Sequence, residues 1–200
     1  RHDSIFDTIA AEEGDWLRGL ALHLVYGSYP AYGPEGRLTL RRAGDMPTGQ
    51  AWPNKQVRPF TDAIARITGD GALRAWGEAL AADWPLDGGD GTYHSIHRYA
   101  LPLDMPLDVP ATSLDDLPPA RIWGRADLGE IVARSGWDAE AVVIGYRAGA
   151  WFTGHQHLDQ GHFDVWYRGP LALDAGVYAS WGSEHREAYY LRSIAHNTLI

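Results

Sequence analysis

Gly154-His155-Gln156-His157-Leu158-Asp159-Gln160-Gly161-His162-Phe163 crowds three histidines and an aspartate between runs that read as β-strands. Before it lies Glu140-Ala141-Val142-Val143-Ile144-Gly145-Tyr146-Arg147. After it come Phe163-Asp164-Val165-Trp166-Tyr167-Arg168 and Leu171-Ala172-Leu173-Asp174. β-Branched and aromatic residues broken by glycine are the grammar of short strands. In an extended chain, residues i and i+2 share a face. His155 and His157 are therefore expected to project together, with Gln156 turned away. Two imidazoles on one side suit a metal ion, or one metal ligand beside one proton-transfer base. A polar sheet edge with solvated histidines has the same spacing.

The strand grammar extends outward. Arg121-Ile122-Trp123, Leu128 to Arg134 and His196 to Ile200 are further β-rich runs, separated by Gly or Ser-Gly turns. Strands so spaced predict an antiparallel sandwich or barrel. In the run that ends at Asp174, Leu171 and Leu173 face one way while Ala172 and Asp174 face the other. That leaves a carboxylate at a strand end. Arg192-Ser193-Ile194-Ala195-His196-Asn197-Thr198 then places a histidine at the start of another strand. His157, Asp174 and His196 would make a two-histidine, one-aspartate set, a reasonable zinc complement with a fourth position for water.

Upstream the periodicity is helical. Residues 4 to about 27 carry Ile5, Ile9, Trp16, Leu17, Leu20 and Leu24 near helical spacing, with Ser4 as cap and Gly14 as a place for a break. Gly and Pro between Tyr26 and Gly36 mark a loop, which continues through Gly44-Asp45 to Asn54 with little periodicity. A second helix is expected from Thr61, as cap, to Thr68, stopped by Gly69. A third is expected from Gly71 to Asp83, with Leu73, Trp76, Ala79 and Leu80 on one face. Tyr93 to Leu101 reads as a short helix whose His94 and His97 are solvated. Residues 102 to 119 are rich in proline and aspartate and read as a linker. Helices joined by loops without intervening strands predict a helical array or toroid. The chain thus reads as multidomain: a helical portion over 1–105, a linker over 106–119, and a β domain over 120–200.

Composition narrows the function. A net charge of −9 over 200 residues excludes a general nucleic-acid or anionic-membrane binder. It leaves room for an anionic substrate in a local basic cleft. Seventeen residues are cationic and only Lys55 is lysine; the arginine fork suits carboxylate and sulfate. Nine Trp and ten Tyr supply flat apolar faces of the kind that line sugar clefts, besides those that pack. With no cysteine, any metal must sit on His, Asp, Glu or water. No apolar run approaches membrane-spanning length, so no membrane insertion is expected. Neither terminus reads as a natural chain end, which predicts a segment of a longer protein.

Three ordered motifs carry a resemblance. Gly154-His155-x-His157-x-Asp159-x-Gly161-x-Phe163 comes first. Gly169, Leu171, Asp174, Gly176 and Tyr178 follow, and then Arg192, Ala195, His196, Asn197, Thr198 and Leu199. Together with Ser135-Gly136-Trp137 and the Gly149 turn, this stretch from about Leu117 onward resembles the heparinase II/III-like polysaccharide lyases. The resemblance implies an incomplete (α/α) toroid followed by an antiparallel β-sandwich, truncated at its C-terminus. It implies cleavage of a uronic-acid-containing polysaccharide or oligosaccharide by β-elimination, in the periplasm or outside the cell. It also implies Zn2+ on His157, Asp174 and His196, with His155 lining the catalytic cleft. Tyr190 and Arg192 are candidates for substrate contact from the sandwich. The family's tyrosine acid/base lies on toroid helices; Tyr26, Tyr29 and Tyr32 have no matching context, which predicts that this residue lies upstream of Arg1. A zinc-dependent hydrolase and a non-catalytic acidic-glycan-binding segment are the alternatives.

Overall fold

Helix α1 runs unbroken from Ile5 to Tyr26, through Gly14, whose missing side chain faces the Thr68 methyl. The computed structural model describes residues 5–30, 37–41, 44–45, 57–83, 108–124, 128–151 and 154–198. The expected helix at 93–101 lies outside these residues. Among the side chains of α1 that the structure describes, Ala21, Leu22, Val25 and Tyr26 are buried, while Trp16 and Leu20 are exposed. The apolar stripe expected through Trp16 and Leu20 is therefore not the buried face. The apolar residues of α1 spread around much of its circumference, so periodicity alone does not choose the side.

Helix α2 spans Arg58–Thr68, one turn earlier than expected, because Pro59 sits at its first turn where a missing N–H costs nothing. Thr61 does not cap it; its hydroxyl donates to the Arg58 carbonyl at 3.0 Å. Gly69, in the left-handed region at φ 68°, ends the helix as its position predicts. Helix α3, Gly71–Asp83, is capped by Asp70, which accepts from the backbone N–H of Ala72 and Leu73. Arg18 pairs with the same Asp70. Ile64, Ala65, Ala72, Leu73, Trp76 and Leu80 are buried along α2 and α3.

The chain falls into two compact units. The first comprises Arg1–Val25 with Trp52–Leu117, and the second comprises Tyr26–Ala51 with Pro118–Ile200. The second unit holds a two-stranded ribbon, β1 (Ser28–Tyr29) with β2 (Thr39–Leu40), and a five-stranded antiparallel sheet. The sheet follows chain order: β3 (Ala120–Trp123), β4 (Leu128–Arg134), β5 (Val143–Gly149), β6 (His162–Trp166) and β7 (Pro170–Ala172). The expected final strand is reduced to one bridge, His162 to Thr198.

One face of this sheet is buried by Val132, Arg134, Val143, His162, Asp164 and Trp166. Among these lies a network of charge. Arg41, just after β2, donates to both oxygens of Asp164 and to Glu130 at 2.7 Å. The Tyr29 hydroxyl donates to the same Asp164 at 2.8 Å. Burial raises the Tyr29 pKa, so its phenol stays protonated. Arg134 reaches the carbonyls of Tyr26 and Ser28 and lies 4.2 Å from the Trp137 ring centroid. Burial pulls its pKa down to about 10. Tyr26 hydrogen-bonds the Pro118 carbonyl and meets Trp123 and Trp137 edge-on. The segment around β1 and β2 is thereby bound to the sheet through side chains that no strand ladder requires.

Candidate metal centre

The histidine-rich segment connects β5 to β6 as a series of turns, not as the extended strand its spacing predicts. Gly161, at φ 80°, supplies the left-handed residue that returns the chain into β6. Asp159 is buried and receives Arg147 from β5, while its carbonyl accepts from the His162 N–H at 2.9 Å. Leu158 is held at both backbone groups: its N–H donates to Leu191 O at 2.9 Å, and its carbonyl accepts from Ser193 Oγ at 2.7 Å. Ring, anchor and turn together fix where His157 can lie.

Asp174 follows β7, and His196 follows a single 3₁₀ turn over Ser193–Ala195. The two segments are joined by Ala175 N–H to Ala195 O at 2.8 Å and by Asn197 Nδ2 to Leu173 O at 3.2 Å. Ligand atoms of His157, Asp174 and His196 lie within 4.8 Å of one another. These three residues, expected together from sequence, can hold a metal ion. His157 Nδ1 and His196 Nε2 are buried and have no hydrogen-bond partner. A buried polar atom left without a partner is costly, and two imidazole nitrogens in that state beside a carboxylate fit a cation.

Hydrogen bonds assign the opposite ring nitrogens. His196 Nδ1 lies 2.9 Å from Asp174 Oδ1. His157 Nε2 lies 3.1 Å from Asp45 Oδ1. His162 closes the group: its Nδ1 accepts from the Asn197 N–H at 3.1 Å, and its Nε2 lies 3.1 Å from Asp174 Oδ1. An acceptor at Nδ1 places the ring proton on Nε2, which then donates to Asp174. Burial pushes the His157 and His162 pKa values down, keeping both imidazoles neutral, the form in which a nitrogen offers a lone pair. Burial raises the Asp174 carboxyl, but hydrogen bonding from His196 and the electrostatic influence of the neighbouring imidazoles and Arg147 outweigh it, and the net shift is down.

Asp45 carries a second cluster. Arg186 donates to it from Nε and Nη2, at 3.0 and 2.8 Å, and also to the Gly154 carbonyl at 2.6 Å. His155 Nδ1 lies 3.0 Å from Asp45 Oδ2. Burial raises the Asp45 pKa, but hydrogen bonds from Arg186, His157 and His155 prevail and lower it. Trp181, 59 % exposed, covers this group: the Arg186 guanidinium lies 4.2 Å from its ring centroid and the His155 ring 4.9 Å away.

His155 and His157 thus converge on one carboxylate from opposite environments, since the His155 side chain is 70 % exposed and that of His157 is 0 % exposed. Tyr190 is buried, edge-on to the His157 ring at 4.5 Å. Arg192 is exposed, with Nε donating to the Glu187 carbonyl at 2.7 Å. His162 lay inside the quoted motif, but nothing in its spacing separates a metal neighbour from a core histidine. Asp45 and Arg186 had no sequence signal.

Residues 127–200 match a family model described as Heparinase II/III-like, C-terminal. No curated protein sequence matches the chain. The fold is similar to a crystal structure of heparinase III, with 18% identity and a TM-score of 0.58 over 94% of this chain and 26% of the other. It is similar to a second heparinase III gene product, with 21% identity and a TM-score of 0.54 over 94% of this chain and 24% of the other. A heparan sulfate lyase mutant from Pedobacter heparinus aligns at 16% identity and a TM-score of 0.51, over 86% of this chain and 21% of that one. The chain spans about a quarter of the length of these structures. The resemblance read from the motifs to the heparinase II/III-like family is shown, and the family model covers the β-rich part that carries them.

Proposed function

We propose that this heparinase II/III-like chain is part of a polysaccharide lyase that cleaves a uronic-acid-containing glycan by β-elimination, with zinc held by His157, Asp174 and His196. The observation that carries the metal reading is the pair of partnerless buried nitrogens, His157 Nδ1 and His196 Nε2, beside the Asp174 carboxylate. Two neutral imidazoles and one carboxylate suit zinc better than the all-oxygen sets preferred by magnesium or calcium. When bound, the ion supplies a fixed positive charge that holds the three segments in place. Enclosure of all three ligands favours that structural part over water activation, and so favours a lyase over a hydrolase.

The chemistry belongs to the exposed rim. Elimination removes the C5 proton of a uronate, forms the C4–C5 double bond and expels the C4 oxygen, which must gain a proton. With Nδ1 turned to Asp45, His155 presents Nε2 outward, where it can take or return a proton. Arg192 is exposed and suits the substrate carboxylate, whose negative charge grows as the proton leaves. Tyr190, although a candidate for substrate contact, acts in this reading through the His157 ring it abuts. The toroid helices supply the remaining acid/base and carboxylate-neutralising groups.

The finer fold reading rests on the sheet's second face. Ile122, Ile131 and Tyr146 are paired across β3, β4 and β5, and all three are exposed, as is Ile144 on the same face. An apolar face of this kind calls for a second sheet packed about 10 Å away, which completes a sandwich. No helix among the described residues is long and apolar enough to cross a membrane; a periplasmic or secreted protein is the expectation from the substrate.

The test is incubation of the full-length protein with heparan sulfate and other uronans, followed by ultraviolet absorbance of the unsaturated product. We expect product from the parent and a loss of about 10²–10⁴-fold in kcat/KM for His155→Ala. Glycan binding without product would instead identify a non-catalytic binding segment, and cleavage to a saturated end would identify a hydrolase.

A further inference from the structure

We infer that Asp45, held by Arg186, is the positioning residue of the metal centre: it fixes the His157 ring so that Nδ1 is the nitrogen turned toward the ion. The inference rests on the metal reading above. Asp45 lies in a stretch whose sequence shows no periodicity and no motif, yet it is attached to the histidine segment at both backbone and side chain. Its N–H donates to the His155 carbonyl at 3.1 Å. The preceding Gly44 has φ 58°, and a Cβ there would collide with that same carbonyl. The Gly44 carbonyl accepts from the Tyr190 hydroxyl at 3.4 Å, and Tyr190 in turn abuts the His157 ring. The loop is therefore seated where only glycine fits.

The carboxylate faces a buried guanidinium, so it is ionised and accepts only. His157 must then donate to it from Nε2, which leaves Nδ1 as a lone pair. That matches the observation that Nδ1, and not Nε2, lacks a partner. A ligand histidine whose distal N–H is held by a carboxylate is oriented, kept in one tautomer and made more basic. The groups around Asp45 are His155, His157, Arg186 and the Gly154 carbonyl that Arg186 also binds. Arg186 thus ties the carboxylate to the backbone at the start of the histidine segment.

The experiment is zinc affinity by chelator competition, with the His157 tautomer read from imidazole 15N shifts in the metal-free, full-length protein. Parent, His157→Ala, Asp45→Ala and Asp45→Asn are compared. We expect Asp45→Ala to weaken zinc by about 10–100-fold and to release the Nε2–H tautomer. Asp45→Asn keeps an acceptor oxygen, so its affinity should recover most of that loss even though both variants lose the charge that pairs with Arg186. A merely structural carboxylate would make affinity follow thermal stability, with the two variants alike. Parental affinity in a folded Asp45→Ala, with zinc still lost in His157→Ala, overturns the positioning role and leaves the metal site standing. A parent that takes up no zinc overturns both.

Discussion

The α2–α3 pair and the five-stranded sheet solve the same problem with opposite materials. The helices bury chiefly apolar side chains, Ile64, Leu73, Trp76 and Leu80, with the uncharged Thr61 beside them. The sheet buries Arg41, Arg134, Asp159, His162 and Asp164 on the face that should be its core. Apolar burial is non-directional and tolerates repacking. Buried charge is the reverse: it is costly to desolvate and is stable only while every partner stays in place. A unit that must hold histidine nitrogens at set positions benefits from that intolerance. Arg147 shows the link, because the side chain that neutralises Asp159 also anchors the turn that presents His157.

The sharpest way to break this comparison is Asp164→Ala. It removes the buried carboxylate that pairs with the Arg41 guanidinium and accepts from the Tyr29 hydroxyl, and we expect a loss of about 3–5 kcal/mol by chemical denaturation. Replacing Arg41 and Asp164 together with apolar residues of similar volume should recover most of that stability, yet loosen the site. If the single variant costs under about 1 kcal/mol, the network is ornament and the contrast collapses. Leu80→Ala in α3 probes the other material. A cavity there should cost about 3 kcal/mol, while zinc affinity, a property of the other unit, stays at the parental value.

The smallest expected effect is a gain. Asp62 in α2 has one buried oxygen without a partner among the described residues; it pairs with Arg58 at 3.3 Å, and burial raises its carboxyl pKa despite that arginine. A carboxyl raised in the folded state holds its proton to higher pH than in the unfolded chain, whose value is 3.8. Protonation therefore stabilises at low pH, and that contribution is lost as pH rises through the folded value. Asp62→Asn should raise the denaturation midpoint slightly at pH 7, and the gain should vanish in acid. A loss at pH 7 would mean that the Arg58 pairing outweighs burial.

Legibility divided along the same line. Gly69 as the stop of α2, α3 at its full length and the strands from β3 to β7 were readable, because local rules govern them. A left-handed stop needs glycine, a helix shows its period, and a strand shows alternation between turns. His157, Asp174 and His196 could be named as candidates, but spacing does not show that distant residues converge; the set came from the resemblance, and the fold brings their ligand atoms within 4.8 Å of one another. The conformation of the histidine segment was not readable. Spacing predicts an extended strand, whereas the Leu158 N–H donating to the Leu191 carbonyl, and the Ser193 hydroxyl donating to the Leu158 carbonyl, hold it in turns.

Sequence alone offered His157, Asp174 and His196 as metal-capable side chains, and carried through ordered motifs a resemblance to the heparinase II/III-like family. Only the tertiary structure decided which nitrogen of each ring is free, which histidine is enclosed and which is exposed, and that Asp45, Arg186 and His162 attend them. The reason is physical. Local periodicity records which face of an element a side chain takes. A ring's orientation is set by its partner on the far side, and for His157 that partner lies 112 positions away along the chain. No spacing rule reaches that distance.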